Sequence, residues 1–144
     1  MTYTVALVDG LARVLAEQGL GIYRPDGAYA AGETAITVSA LPPSPDRCIC
    51  LAAYPVTDSP VLTDTTTGVQ VRTRASSDPR EVDALDDAVH EALHGSGPYR
   101  FGAAQVQLVF RVSAAPIGAD SAGRWERTSN FHVRAHRVAA PHLE

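Results

Sequence analysis

The stretch at residues 68–95, GVQVRTRASSDPREVDALDDAVHEALHG, constrains the fold most, because strand, turn and helix are each signalled there by separate chemistry. Val69 and Val71 alternate with Gln70, Arg72 and Arg74, the period of two that puts apolar side chains on one face of a strand and long polar ones on the other. A half-buried strand is predicted. Asp78 offers a carboxylate to the free N–H groups of a helix start, and Pro79 occupies the first helical position, where a missing N–H costs nothing. Glu81 completes a capping-box-like pattern. Val82, Leu85, Val89, Ala92 and Leu93 follow at helical spacing, and Gly95 suits the left-handed residue that ends a helix. A helix starting at Asp78 therefore lays an apolar stripe on a sheet. Its other face carries Asp83, Asp86, Asp87, His90, Glu91 and His94 and is expected to face solvent.

The rest of the chain reads as packing around this unit. Leu7, Leu11, Val14 and Leu15 recur at helical spacing behind Thr2 or Thr4, and Gly19 closes the segment, which predicts an amphipathic first helix. Residues 21–24 follow as a short extended piece, Pro25-Asp26-Gly27 marks a turn, and residues 35–39 alternate weakly through Ile36 and Val38. Residues 41–46, LPPSPD, are an extended loop, since prolines remove donors and fix the backbone. The strand expected at 47–54 is apolar on both faces, with Ile49, Leu51 and Ala53 opposing Cys48, Cys50 and Ala52, and Tyr54-Pro55 should end it. Residues 56–67, rich in Thr, Asp and Pro, read as a long loop, either an interaction element or a disordered excursion.

Beyond the central helix, Ser96-Gly97-Pro98 breaks the chain, and residues 105–113 alternate with Val106, Leu108, Phe110 and Val112 on one face. Residues 115–118 interrupt that strand, residues 120–123 are turn formers, and alternation resumes over 124–138, a hairpin with a long tip. The expected architecture is α+β: one domain over residues 1–138, a largely antiparallel sheet with two helices packed on it, and a frayed tail at 139–144.

A chain of 144 residues is long enough to bury a core without disulfides or metals. Cys48 and Cys50 are the only cysteines, share one strand face and are badly placed to bridge each other, so they read as small buried apolar residues, with a metal pair as the alternative. No apolar run approaches the ~20 residues of a membrane span, and the first residues lack a secretory pattern, so a soluble protein made in the cytoplasm is expected, with no membrane partner. The net charge of −4 argues against a general nucleic-acid binder. It is spread unevenly, with most acids before residue 97 and arginines outnumbering acids after it, which suits a polar self-assembling subunit or simply an uneven solvated surface.

His90-Glu91-Ala92-Leu93-His94 spells the zinc-protease pattern, in which two imidazoles four apart grip zinc and the intervening Glu acts as general base. The context opposes it, because both histidines flank the acidic face while Val89 and Leu93 mark the buried one, and the helix stops at Gly95. Glu126, His132 and His136, the downstream candidates for a third ligand, show no distinguishing spacing. No serine sits in a nucleophile elbow and no phosphate loop is present, so no enzyme and no cofactor are expected. The other unusual stretch is GADSAGRWERTSNF at 118–131, where Trp125, the only Trp, stands among Arg124, Glu126 and Arg127. Trp and Arg are enriched at interface hot spots, so this segment is read as an interface, against the alternative that Trp125 covers a sheet edge.

Three segments together, LPPSPDRCICLAAYPV, GVQVRTR with its DP-started helix ending in LHG, and PIGADSAGRWERTSNFHV, resemble the tail-terminator or minor capsid proteins of long-tailed phages of actinobacteria. The resemblance implies a small α+β subunit that assembles as a hexameric ring on the head-proximal end of the tail tube, in the tail or neck of the virion after assembly in the host cytoplasm. It implies as partners further copies of the chain, the tail tube protein and a head-closure or connector protein, with genomic DNA passing through the lumen without sequence-specific binding. Another neck role, a head-closure or head-tail joining ring, is the alternative, and a small zinc metalloprotease a distant one. Within this resemblance Asp58, Asp64, Arg72, Arg74, Asp120, Arg124, Trp125, Arg127 and Arg134 are the candidate contact residues.

Overall fold

The computed structural model describes residues 1–138, and the tail expected at 139–144 lies outside them. Helix α1 (Tyr3–Glu17) leads into β1 (Ile22–Tyr23), β2 (Ala35–Val38), β3 (Cys48–Thr57) and β4 (Asp64–Arg74). Helix α2 (Pro79–Leu93) then precedes β5 (Tyr99–Phe101), β6 (Ala104–Ala119) and β7 (Trp125–Arg137). The seven strands form one curled sheet in the order β1-β2-β3-β4-β7-β6-β5.

The class is α+β with two helices, but the expectation of a largely antiparallel sheet is overturned. The sheet is mixed: β1 runs parallel to β2 and β2 parallel to β3, while β3-β4-β7-β6-β5 is antiparallel throughout. The parallel side exists because the loops at 24–34 and 39–47 are long enough to carry the chain back before each new strand.

Strand β4 is more buried than a half-exposed strand, lying between β3 and β7. Leu7, Leu11 and Leu15 of α1 and Leu85, Val89 and Leu93 of α2 meet Ile49, Leu51, Val69, Val71, Phe131 and Val133 in one core, so both helices cover the same face. Each of the leucines with no exposure stabilises the fold by roughly 1.5–3 kcal/mol. Asp78 caps α2 by accepting the Arg80 N–H at 3.0 Å, and its own N–H is held by Ser76 Oγ at 3.1 Å.

Three further boundaries differ from the sequence reading. Strand β3 runs through Pro55 to Thr57, because β2 ends opposite Leu51 and a proline is tolerated where the strand has become an edge. The long loop expected over 56–67 shrinks to residues 58–63. Strand β6 is not interrupted at 115–118 but continues to Ala119, pairing with β7 through bulges at Gln107, Val112 and Ile117. The first bulge turns the alternation over, so Val106 and Val109 are buried while Val112 stands exposed.

Candidate interaction surface

With the helices on one face, the other face of β4, β7 and β6 is left open, and it presents Gln70, Arg72, Thr128, Asn130, His132 and Arg134. Arg72 Nη2 lies 2.5 Å from Oε1 of the nearly buried Glu126. Arg134 stands over the Phe110 ring at 5.3 Å, and that ring meets His132 edge-on. Arg134 has no ion-pair partner among the described residues, which leaves it the cation this face offers to a neighbour.

Arg74 and Arg124 do something different from the contacts foreseen for them. Buried Arg74 donates through Nε to the Asp46 carbonyl at 2.9 Å and through Nη2 to the Pro42 and Pro45 carbonyls at 2.6 and 2.7 Å. Arg124 donates to the Pro43 carbonyl at 2.6 Å and to Asp46 Oδ1 at 3.2 Å. Prolines leave carbonyls with no neighbouring N–H in the loop, and two guanidinium forks satisfy them. The loop at 41–47 is thereby strapped to the end of β4 and to the hairpin tip.

The tip organises itself around Asp120. Its Oδ1 accepts the Arg124 and Ala122 N–H groups at 2.9 and 3.0 Å, and its Oδ2 accepts Arg124 Nε at 2.9 Å. The Arg124 N–H, with its guanidinium and the Ala122 N–H, holds the Asp120 carboxyl below its ordinary range; the same carboxylate, then Asp46, raises Arg124. Trp125 is half-buried beside the tip, its backbone N–H donating to the Ser76 carbonyl at 3.0 Å, so it ties β7 to the turn before α2.

On the helix side, Arg127 reaches Asp83 at 3.2 Å and Asp86 at 3.5 Å. Asp86 is only 2% exposed, contrary to the solvated position expected for it, and also accepts Ser129 Oγ at 2.7 Å and Arg111 Nη1 at 3.3 Å. Residue type alone concealed this, since its partners come from strands far along the chain. Asp58 accepts Thr65 Oγ1 at 2.5 Å, and Asp64 lies 3.6 Å from His136, so both sit around the 58–63 loop at one end of the sheet. Eight of the nine candidate residues therefore fall into three groups, the 58–63 loop, the strapped tip with its loop, and the open face, while Arg127 stands apart on the helix side.

The zinc-protease pattern is divided between two conformations. Helix α2 ends at Leu93, and His94 is the first residue outside it, with an extended backbone. The two imidazoles stack with centroids 4.6 Å apart, and Nδ1 of His94 accepts the Arg111 N–H at 3.0 Å. No group of three or more His, Cys, Asp or Glu suited to a metal occurs among the described residues. Cys48 and Cys50 are free and buried, and burial pushes both thiols up, as for small apolar residues rather than reactive ones.

A family model described as bacteriophage tail terminator protein matches residues 14–137. Among solved structures, a chain of the virion of a native gene transfer agent particle is similar, with a TM-score of 0.57 and 14% identity over 90% of this chain and 91% of that one. At that identity the likeness shows a shared fold. No curated protein matches the chain.

Proposed function

The chain belongs to the bacteriophage tail terminator proteins, structural proteins of the virion tail, and from that membership we propose that it closes the head-proximal end of the tail tube as a homohexameric ring. The ring stops tube polymerisation and hands the tail to the head connector. The observation that carries this reading is the match over residues 14–137, which spans the last turn of α1, all of α2 and every strand from β1 to β7. The open face of the sheet supports it, because a broad polar surface with Arg134, which pairs with no acid among the described residues, suits contact with a neighbour or with the backbone of passing DNA rather than enclosure of a small ligand. The strapped tip, with Asp120, Arg124 and Trp125, and the 58–63 loop, flanked by Asp58 and Asp64, are the contacts to the tube or the connector. In this reading Arg72, Arg74 and Arg127 shape those surfaces through Glu126, the loop carbonyls and Asp83.

Purified chain added to polymerising tail tube protein tests the proposal. Tubes of arrested length carrying the chain at one end are expected. A chain that leaves tube length unchanged and binds instead to head connectors alone would replace the terminator with a head-closure role.

A further inference from the structure

Both sides of the sheet end in a strand that has lost its neighbour. On one side β2 stops opposite Leu51, so among the described residues no strand beyond β4 lies beside residues 52–57 of β3. On the other, β5 pairs with β6 only as far as Val106 and a single bridge joins Val109 to Ser96, so among the described residues no strand beyond β7 lies beside residues 112–119 of β6. Neither free edge carries a charge, reading AAYPVT and VSAAPIGA, in a chain where 19% of residues are charged. Exposed edges are ordinarily protected by charges as well as by bulges and proline. Here the bulges place Val112 and Ile117 outward, 47% and 50% exposed, and on the other edge Val56 is 42% exposed. Bulges and Pro116 break a flat edge that any strand would join, but they leave an apolar outline that one matched strand can fill.

We propose that residues 112–119 of β6 dock against residues 52–57 of β3 in the next copy of this chain, head to tail, so that one sheet continues from subunit to subunit. The directions agree: β3 runs parallel to β7 and β6 opposite to it, so β6 meets a neighbouring β3 antiparallel. The stagger agrees as well. Following the ladders across, Tyr54 is level with Phe110 and Ile49 with Pro116, so the two free edges are displaced by about five residues over the four-strand unit β3-β4-β7-β6. That is roughly one residue per strand, the stagger with which closed barrels tilt their strands by about 36°. Identical heterologous joints form a ring when the rotation between copies closes, and a stagger of this size is compatible with the tilted strands of a closed sheet. The proposal rests on the ring reading above and names the surfaces that make it.

Charges placed on each edge test it. Ile117→Lys blocks one edge and Val56→Lys the other, and both positions are exposed, so circular dichroism and melting should match the wild type; Val112→Lys serves for the β6 edge if Ile117→Lys melts early. By light scattering, each variant alone is expected to self-associate about a hundredfold more weakly than the wild type, since a buried unpaired charge opposes the joint. A one-to-one mixture of the two is expected to form dimers and nothing larger, because one intact joint remains and neither outer edge can extend it. Wild-type rings that persist in either variant, or a mixture that stays monomeric, would overturn the edges while leaving the ring itself standing. A wild-type chain that is monomeric both free and on tail tubes would overturn the ring reading and this joint with it.

Discussion

Asp86 shows how a single carboxylate can organise two elements. It lies almost fully buried on α2 and holds Ser129 and Arg127 of β7 and Arg111 of β6. Asp86→Ala would leave two cations short of an acceptor, and removing one partner of a buried pair costs about 3–5 kcal/mol. Urea denaturation should show a loss at the low end of that range, because Arg127 keeps Asp83; Asp86→Asn, which still accepts from Ser129, should lose less. At the hairpin tip, Asp120 titrates below its ordinary range, so its contribution is complete above about pH 4 and disappears as pH falls through the lowered value. The fluorescence of Trp125, the only Trp, should therefore hold steady from pH 7 to about 4 and change below it, and Asp120→Asn should remove that step. A step above pH 5 would contradict the assignment. None of these partnerships was visible in sequence, where Asp86 looked solvated and Arg74 and Arg124 looked free, because burial and pairing depend on strands brought together across the sheet.

At the scale of elements, local chemistry was readable and non-local pairing was not. The cap, the first-turn proline and the apolar stripe of α2 are consecutive signals, and they specify the helix as it stands. The parallel strands β1 and β2 have few residues, and the Pro25-Asp26-Gly27 turn between them does not announce a parallel partner, while a bulge at Gln107 reverses an alternation that sequence shows as unbroken. Strand β5 went unread for the same reason, being only Tyr99–Phe101. It matters to packing nonetheless, since the Phe101 ring rests directly on Gly10 of α1 and a Cβ there would collide with it. Gly10→Ala should gain about 1 kcal/mol of helix propensity and lose about 1–3 kcal/mol to overpacking, for a net fall in melting temperature. A rise would mean that β5 moves away freely. The 41–47 loop is the counterpart case, in which Arg74→Met should cost about 2 kcal/mol by leaving three carbonyls without their charged donor.

For the whole molecule, the uneven charge along the chain does not become two separated poles. Arg111 and Arg127 of the arginine-rich part pair with Asp86 and Asp83 of the acidic part, and Arg124 pairs with Asp46, so folding brings the two together. What remains for partners is an open sheet face with Arg134, a strapped tip and two uncharged edges. That surface and the family membership lead to one central claim, a ring at one end of the tail tube. Electron microscopy of tails assembled with the purified chain tests it most directly. Ring density at the head-proximal end alone, accompanied by tubes that no longer lengthen, is the predicted result; density spread along the tube, or tubes that bind no chain and keep growing, would contradict it.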